Sequence, residues 1–145
     1  MINTTNIQEA RNLIKAAINK PIIVRAQSLE FNRKILEYAK FDVLLFTESQ
    51  NWNKKDKIKQ LDTGFNHVLA KIAAKNNIAL GIDLKEIKHL TKKEKAICLA
   101  RLIQNIKVCR KAKCKLKILN YQVKINTQNL LISLGSSTLQ AKEAV

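Results

Sequence analysis

Four short apolar runs, separated by stretches with helical periodicity, restrict the fold of this sequence more than any other feature. Each run is almost continuously apolar, as in a strand that is buried on both faces of a sheet. Such strands are typical of a parallel sheet whose crossovers are helices. The sequence therefore predicts an α/β fold with the order αβαβαβ(α)αβαα. The runs are Ile22–Val24, Val43–Phe46, Ile78–Ile82 and the group Leu116, Ile118 and Leu119.

The length of the chain limits what this sheet can become. With 145 residues, the chain is predicted to form a single domain over residues 1–145 with a real core. A closed eight-stranded barrel normally needs at least about 200 residues. We therefore expect an open or partial barrel, or an α/β layer that a partner completes.

Capping residues predict where several helices begin and end. Thr5–Gln8 and Thr91–Glu94 have the pattern of a capping box, with a hydroxyl residue followed three positions later by Gln or Glu. Ser28 and Ser137 stand where a second and a last helix would begin, and Gly135 is expected to end the helix before it.

The net charge of +16 indicates the kind of partner. Residues 1–83 have a net charge of +5 and residues 84–145 a net charge of +11, and no acidic residue occurs between Lys95 and Lys142. Nucleic acid is the first partner that such a surface suggests, with an anionic membrane or a charged scaffold as the alternatives.

The cysteines and the hydropathy favour the cytoplasm. Cys98, Cys109 and Cys114 are odd in number and form no CxxC pair, so a disulfide framework or a zinc site is not indicated. Cys98 and Cys109 are predicted to be small packing residues. Nothing in the sequence resembles a signal peptide or an 18-residue apolar run, so we expect a soluble cytoplasmic protein that does not enter membranes.

A helix predicted from about Thr63 to Asn76 carries a basic stripe. His67, Lys71 and Lys75 follow one another at intervals of four residues, opposite the apolar positions. The Asp62–Gly64 turn is expected to cap this helix, whose positive end would attract phosphate. The alternative is an ordinary exposed helix. Acid–base chemistry at His67 is disfavoured because the other histidine is remote in sequence.

A long helix from Thr91 to about Ala112 is predicted to carry a second stripe. Arg101, Gln104, Lys107 and Lys111 are expected opposite its buried face, and the basic run continues through Lys113, Lys115 and Lys117. A solvated face is the usual explanation of such a run, but the absence of acids favours phosphate binding. The buried face is predicted to contain Leu99, Leu102, Ile103, Ile106 and Cys109.

The polar loop around Trp52, the only tryptophan, is the third candidate. It is surrounded by the cations Lys54, Lys55, Lys57 and Lys59. The indole could stack on an unpaired base, cover a barrel end or serve a protein interface. The motifs GxGxxG, GxSxG and HExxH and the P-loop are absent, and no carboxylate pair suggests metal or acid–base chemistry.

The segment LDTGFNHVLAKIAAKNNIALGIDL, residues 61–84, resembles the Asp-Ser-Gly-Leu-Asn-His segment of ribonuclease P protein component 3. That family is the archaeal relative of the thirty-kilodalton subunit of eukaryotic ribonuclease P. Residues 43–49 are similar to a strand of that family that ends in Ser/Thr-Pro/Glu, and residues 101–118 are similar to its long basic helix and the strand that follows it. Residues 131–145 are similar to its ending, so the resemblance covers most of residues 22–145.

The resemblance implies an abbreviated TIM-barrel-like (PHP-like) parallel sheet with surrounding helices. It also implies a role in ribonuclease P, in which a catalytic RNA removes the 5′ leader of precursor tRNA. The partners would be the ribonuclease P RNA, the precursor tRNA and the component 2 (Pop5-type) protein subunit. Mg²⁺ would be required by the RNA, with no cofactor bound by this protein, which would itself be non-catalytic.

Residue by residue, Asp62, Gly64 and His67 match the family segment, whereas Thr63 replaces its usual Ser and Phe65 its usual Leu. Arginine often precedes the Asp in the family, and this chain has Gln-Leu there instead. Two rival functions remain open, a general basic RNA-binding protein and a barrel-type metal-dependent phosphoesterase. No catalytic or metal-binding residue is predicted. The residues expected to contact RNA or a partner are Lys54, Lys55, Lys57, Asp62, Gly64, Asn66, His67, Lys71, Arg101, Lys107, Arg110, Lys111 and Lys117.

Overall fold

The computed structural model describes residues 1–46 and 54–145. Trp52, with the rest of residues 47–53, lies outside this part. In the described chain, helices and strands follow one another in the predicted order. They are α1 (Ile7–Ala16), β1 (Ile23–Arg25), α2 (Leu29–Tyr38), β2 (Val43–Phe46), α3 (His67–Lys75), β3 (Ala79–Asp83), α4 (Leu84–Lys88), α5 (Lys92–Ala112), β4 (Leu116–Leu119), α6 (Lys124–Ser133) and α7 (Thr138–Ala144).

The four strands form a parallel sheet in the order β1-β2-β3-β4. Each crossover leads to the adjacent strand in the same direction. Because such crossovers are right-handed, their helices lie on one face of the sheet. The row Val24, Leu44, Leu80 and Leu116 faces these helices and belongs to the main core. The α/β class with a parallel sheet is thus confirmed.

The opposite face of the sheet is closely packed around a glycine. A Cβ atom on Gly81 would lie 2.5 Å from Val43 Cγ1 and 3.3 Å from Leu45 Cα. Real atoms cannot approach to the first of these distances without a shift of the surrounding structure. Gly81 therefore allows the neighbouring strand's side chains to fold over β3.

Most of the predicted helix ends are confirmed. Ser28, Thr91 and Ser137 accept hydrogen bonds at the starts of their helices, and Thr91 forms a complete capping box. Gly135, with φ of +104°, follows the end of α6. The prediction for Thr5 is wrong, because the carboxamide oxygen of Asn6 accepts from the first free N–H groups of α1.

The adjacent helices α3 and α5 differ greatly in length, so one starts well beyond the other at the carboxyl ends of the strands. The ends of α3 and α5 are level. Lys75 lies five residues before Leu80 of β3, Lys111 lies five residues before Leu116 of β4, and Leu80 and Leu116 are paired in the sheet. However, α3 has 9 residues and α5 has 21. The first half of α5 therefore extends beyond the start of α3.

Among the helices of residues 1–46 and 54–145, none combines the length and the apolarity that crossing a membrane requires.

Candidate nucleic-acid interface

Residues 54–62, called here the basic loop, lie against the extended half of α5. The loop folds back on itself where Lys57 N donates to Gln60 O at 2.9 Å and Gln60 N donates to Lys57 O at 3.2 Å. The tip between them presents Ile58 and Lys59 to solvent, and Lys55 and Lys57 are exposed as well. Three lysines therefore project from one short, folded segment.

Two polar contacts attach the basic loop to α5. Arg101 Nη2 lies 2.6 Å from Asp56 Oδ2 in a salt bridge. The Gln104 side chain donates to Leu61 O at 2.8 Å and accepts from Leu61 N at 3.0 Å. The expectation that Arg101 faces solvent is wrong, because the loop covers it and leaves only 4% of the residue exposed. Arg101 positions the loop and is not available to a phosphate.

Asp62 organises the loop from within. Its Oδ2 accepts from Lys55 N at 2.9 Å, and its Oδ1 accepts from Gly64 N at 3.3 Å. The prediction that the Asp62–Gly64 turn caps α3 is wrong. That helix begins at His67, and Asn66 Oδ1 accepts from the two free N–H groups of Val68 and Leu69 at 3.0 Å each.

Asn32, which no sequence pattern singled out, joins this turn to α2. It is fully buried, and its Nδ2 donates to Gly64 O at 2.7 Å. The same carboxamide also bonds both backbone groups of Gln27, at 2.7 and 3.0 Å. Gly64 has φ of +64°, a conformation that glycine adopts without strain. The sequence signal that could have identified this residue is its position, since Asn32 is a polar residue among the apolar positions of α2.

A shallow depression of about 200 Å³ lies beside this turn. Its lining consists of Leu29, Lys55, Lys57 and residues 60–66. The Asp62 carboxylate in its wall already accepts two backbone N–H groups. The two lysines in the lining suit a phosphate or another small anion.

A second group of cations lies on the outer face of α3 and α5, and we call it the helix patch. It consists of Lys71 and Lys75 on α3 and Lys107 and Lys111 on α5, all exposed. In the described part of the chain, no carboxylate lies within salt-bridge distance of these four ammonium groups. His67 is exposed at the head of the α3 stripe, as predicted.

Lys117 lies apart from the helix patch, whereas Arg110 lies at its border. Lys117 shares its row with Gly81 in the sheet, so it faces away from the helices and is separated from the patch by the sheet itself. Arg110 is exposed, and its Nη1 approaches Gly135 O at 3.5 Å, beside the turn between α6 and α7. The side chain of Lys107 borders the same glycine, since a Cβ atom on Gly135 would lie 3.8 Å from Lys107 Cγ. Lys54, the remaining predicted loop cation, is half-buried.

The carboxylates at the ends of the strands are engaged in structural contacts. Arg25 and Glu86 form a salt bridge. Asp83 caps α4 with one oxygen and accepts from Asn120 Nδ2 at 2.9 Å with the other. Among residues 1–46 and 54–145, no three His, Cys, Asp or Glu side chains form a group that could hold a metal ion.

This chain is similar to a known protein in its fold and not through a match to a protein-family model or a curated protein. No protein-family model matches the sequence, and no curated protein does. The fold is similar to that of a chain in a solved structure, the cryo-EM structure of archaeal ribonuclease P with mature tRNA, with a TM-score of 0.74 and 22% identity. The match covers 99% of this chain and 62% of that chain. This chain therefore shares its fold with a chain from an archaeal ribonuclease P structure and spans about three-fifths of that chain's length.

Proposed function

We propose that this chain is a protein subunit of ribonuclease P, of the component 3 type, which assists a catalytic RNA in removing the 5′ leader of precursor tRNA. Two independent likenesses support the proposal. One is the fold, which agrees over 99% of this chain with a chain from an archaeal ribonuclease P structure. The other is the sequence of residues 61–84 and its basic surroundings.

The observation that carries the proposal is the pre-arranged basic surface. The lysines of the basic loop are held by the Asp56–Arg101 salt bridge, and those of the helix patch stand on two packed helices. Cations that are already positioned lose less conformational entropy when they bind phosphates. Such contacts would screen the repulsion between RNA segments and lower the concentration of Mg²⁺ that the folded RNA needs.

The proposal extends to the assembly. The sheet would be an abbreviated TIM-barrel-like, PHP-like layer, and the component 2 (Pop5-type) subunit would be its protein partner. The ribonuclease P RNA and the precursor tRNA would be its nucleic-acid partners within a cytoplasmic complex. Mg²⁺ would belong to the RNA, and the protein would act without a cofactor of its own.

The experiment is cleavage of a precursor tRNA by the cognate ribonuclease P RNA at limiting Mg²⁺. The RNA is reconstituted with the full set of protein subunits, and then with this subunit omitted. We expect leader removal to collapse on omission and to recover at high Mg²⁺. A Lys107→Ala, Lys111→Ala variant should fall between the two, while a Lys15→Ala, Lys20→Ala variant should match the wild type. Unchanged cleavage without this subunit would refute the proposal.

A general RNA-binding role is the second candidate, and the chemistry of the surface favours it. Lysine ammonium groups neutralise phosphates without reading base identity. A protein of this kind would bind unrelated RNAs of equal length with equal affinity, and its omission would leave leader removal unchanged. Direct comparison of ribonuclease P RNA with an unrelated structured RNA, at the same salt concentration, separates the two candidates.

A further inference from the structure

The helices α3 and α5 end in the same way before neighbouring strands. Each is closed by a hydrogen bond of 2.9 Å to a carbonyl five residues earlier, donated by Ile78 N after α3 and by Cys114 N after α5. The residue before each donor is left-handed, with φ of +55° at Asn77 and +56° at Lys113. Since β3 and β4 are paired, equivalent positions on the two helices are level.

The four lysines of the helix patch therefore form two parallel rows. The α3 row is Lys71 and Lys75, the α5 row is Lys107 and Lys111, and all four side chains are exposed. Within a row the two residues lie one turn apart, about 6 Å along the helix. The two helices pack against each other, and the axes of packed helices lie about 8–10 Å apart. The lysines thus extend from the corners of a small rectangle on the outer face of the molecule.

This face offers cations but no aromatic ring. The sequences of α3 and α5 contain no Phe, Tyr or Trp. Proteins that bind single-stranded nucleic acid combine cations with aromatic side chains on which unpaired bases stack. Two rows of cations without such rings suit a ligand whose bases are already paired and whose phosphates form two rows of their own. A double helix has this arrangement, with one row of phosphates on each side of a groove.

We propose that the helix patch binds a double-stranded RNA segment across its minor groove, with the α3 row on the phosphates of one strand and the α5 row on those of the other. The inference rests on the proposed function and specifies which kind of RNA segment this surface takes. The minor groove of an A-form RNA helix is wide and shallow, and proteins contact the backbone across it. The minor groove of B-form DNA is only about 6 Å wide, which is narrower than the separation of the rows.

The test measures binding of the full chain to three ligands with equal numbers of phosphates at one salt concentration. They are a blunt RNA duplex, the DNA duplex of the same sequence and an unstructured single-stranded RNA. We expect the RNA duplex to bind at least about fivefold more tightly than the DNA duplex, because only its minor groove matches the separation of the rows. The single strand should bind more weakly than the RNA duplex. Equal affinity for the RNA duplex and either of the other two ligands would overturn the inference.

Variants of each row show whether both strands are contacted. Lys71→Ala, Lys75→Ala and Lys107→Ala, Lys111→Ala should each weaken duplex binding by a similar factor. Each should also reduce the slope of log K against log salt by about 0.9 for every phosphate that is no longer neutralised. All four lysines are exposed, so the urea midpoints should match that of the wild type.

The control is Lys15→Ala, Lys20→Ala, which removes two exposed lysines outside the patch and should leave the slope unchanged. A loss from one row only would show that the patch does not span two strands and would overturn the inference. The proposed function would be unaffected by that result, because omission of the subunit from the cleavage reaction tests it separately.

Discussion

Arg101 Nη2 and Asp56 Oδ2 are 2.6 Å apart, although 45 residues separate them in the sequence. The Arg101 side chain is 5% exposed and that of Asp56 is 39% exposed, so the guanidinium is buried and its partner remains accessible. The middle of the long helix thus determines where the basic loop lies. The Asp56–Arg101 salt bridge therefore fixes where the backbone of the basic loop presents its exposed lysines.

Replacing Asp56 with alanine is expected to destabilise the fold by about 1–3 kcal/mol, because it leaves the buried Arg101 without this carboxylate. The upper part of the range for buried pairs is not expected, since Asp56 is partly exposed. Urea denaturation measures the change. RNA affinity should fall as well, because the lysines of the loop lose their fixed geometry.

The matched control for that variant is Glu37→Ala. Arg33 and Glu37 form a pair whose side chains are 67% and 50% exposed. Its loss should cost less than about 0.5 kcal/mol. Equal losses in the two variants would mean that the Asp56–Arg101 contact has no special role in holding the loop.

Asn32→Ala is expected to cost about 2–4 kcal/mol. The substitution leaves the Gln27 N–H, the Gln27 carbonyl and the Gly64 carbonyl without their buried partner. The urea midpoint should fall accordingly. The Asn12→Ala control removes only an exposed contact of 3.4 Å with Gln8 and should leave the midpoint almost unchanged.

Gly81→Ala should destabilise the protein by at least about 1–3 kcal/mol through overpacking against Val43. The added methyl group would meet Val43 Cγ1 at 2.5 Å. Val43→Ala removes that atom, so the double variant should recover part of the loss. A double-mutant cycle from thermal denaturation gives the coupling. If the two substitutions have additive effects on stability, the added methyl group does not clash with Val43.

Charge reversal at Lys107 and Lys111 should weaken RNA binding and reduce the slope of log K against log salt by about 0.7–0.9 for each phosphate that the protein no longer neutralises. Filter binding at several salt concentrations measures the slope. Lys15→Glu, Lys20→Glu is the control, because it makes the same change in charge at the end of α1. If both double variants change the slope equally, the helix patch is not the RNA-binding face.

Glu94 gives the α5 capping box a dependence on pH. The hydroxyl and backbone N–H of Thr91 hold the pKa of this carboxyl below its ordinary value of 4.5. The folded state therefore favours the carboxylate, and its stabilisation is present above pH 4.5 and disappears as the pH falls through the lower folded pKa. Glu94→Gln should lose less stability than wild type between pH 7 and pH 3, measured by urea denaturation at both values.

The strands could be predicted closely because their apolar runs are local. Val43–Phe46 is correct to the residue, whereas β1 and β3 each begin one residue later than predicted. Both strands begin later because the N–H group of the preceding residue bonds elsewhere, in one case to a residue distant in sequence and in the other to the end of α3. Ile22 N donates to Asp42 Oδ2 at 2.7 Å, and Ile78 N donates to Ala73 O at 2.9 Å, so neither N–H is used in the sheet.

The candidate site was predictable only in part. Asp62 and Gly64 were identified as turn residues because turn chemistry depends on adjacent residues, although Asn66 and not this turn caps α3. The burial of Arg101 was not, because periodicity alone places it on an exposed stripe and cannot show that a loop some 45 residues earlier covers it. Asn32 was missed for the same reason, since its partner Gly64 is 32 residues away.

The strand order β1-β2-β3-β4 makes the architecture modular. Each strand pairs only with the strands next to it in sequence. A helix–strand unit can therefore be added or removed at either outer strand without a change in the order of the remaining strands. The basic loop and its anchor on α5 belong to the β2–β3 and β3–β4 connections, away from the outer strand edges. Related chains could therefore differ widely in length and still inherit the same geometry of lysines around Asp56 and Arg101.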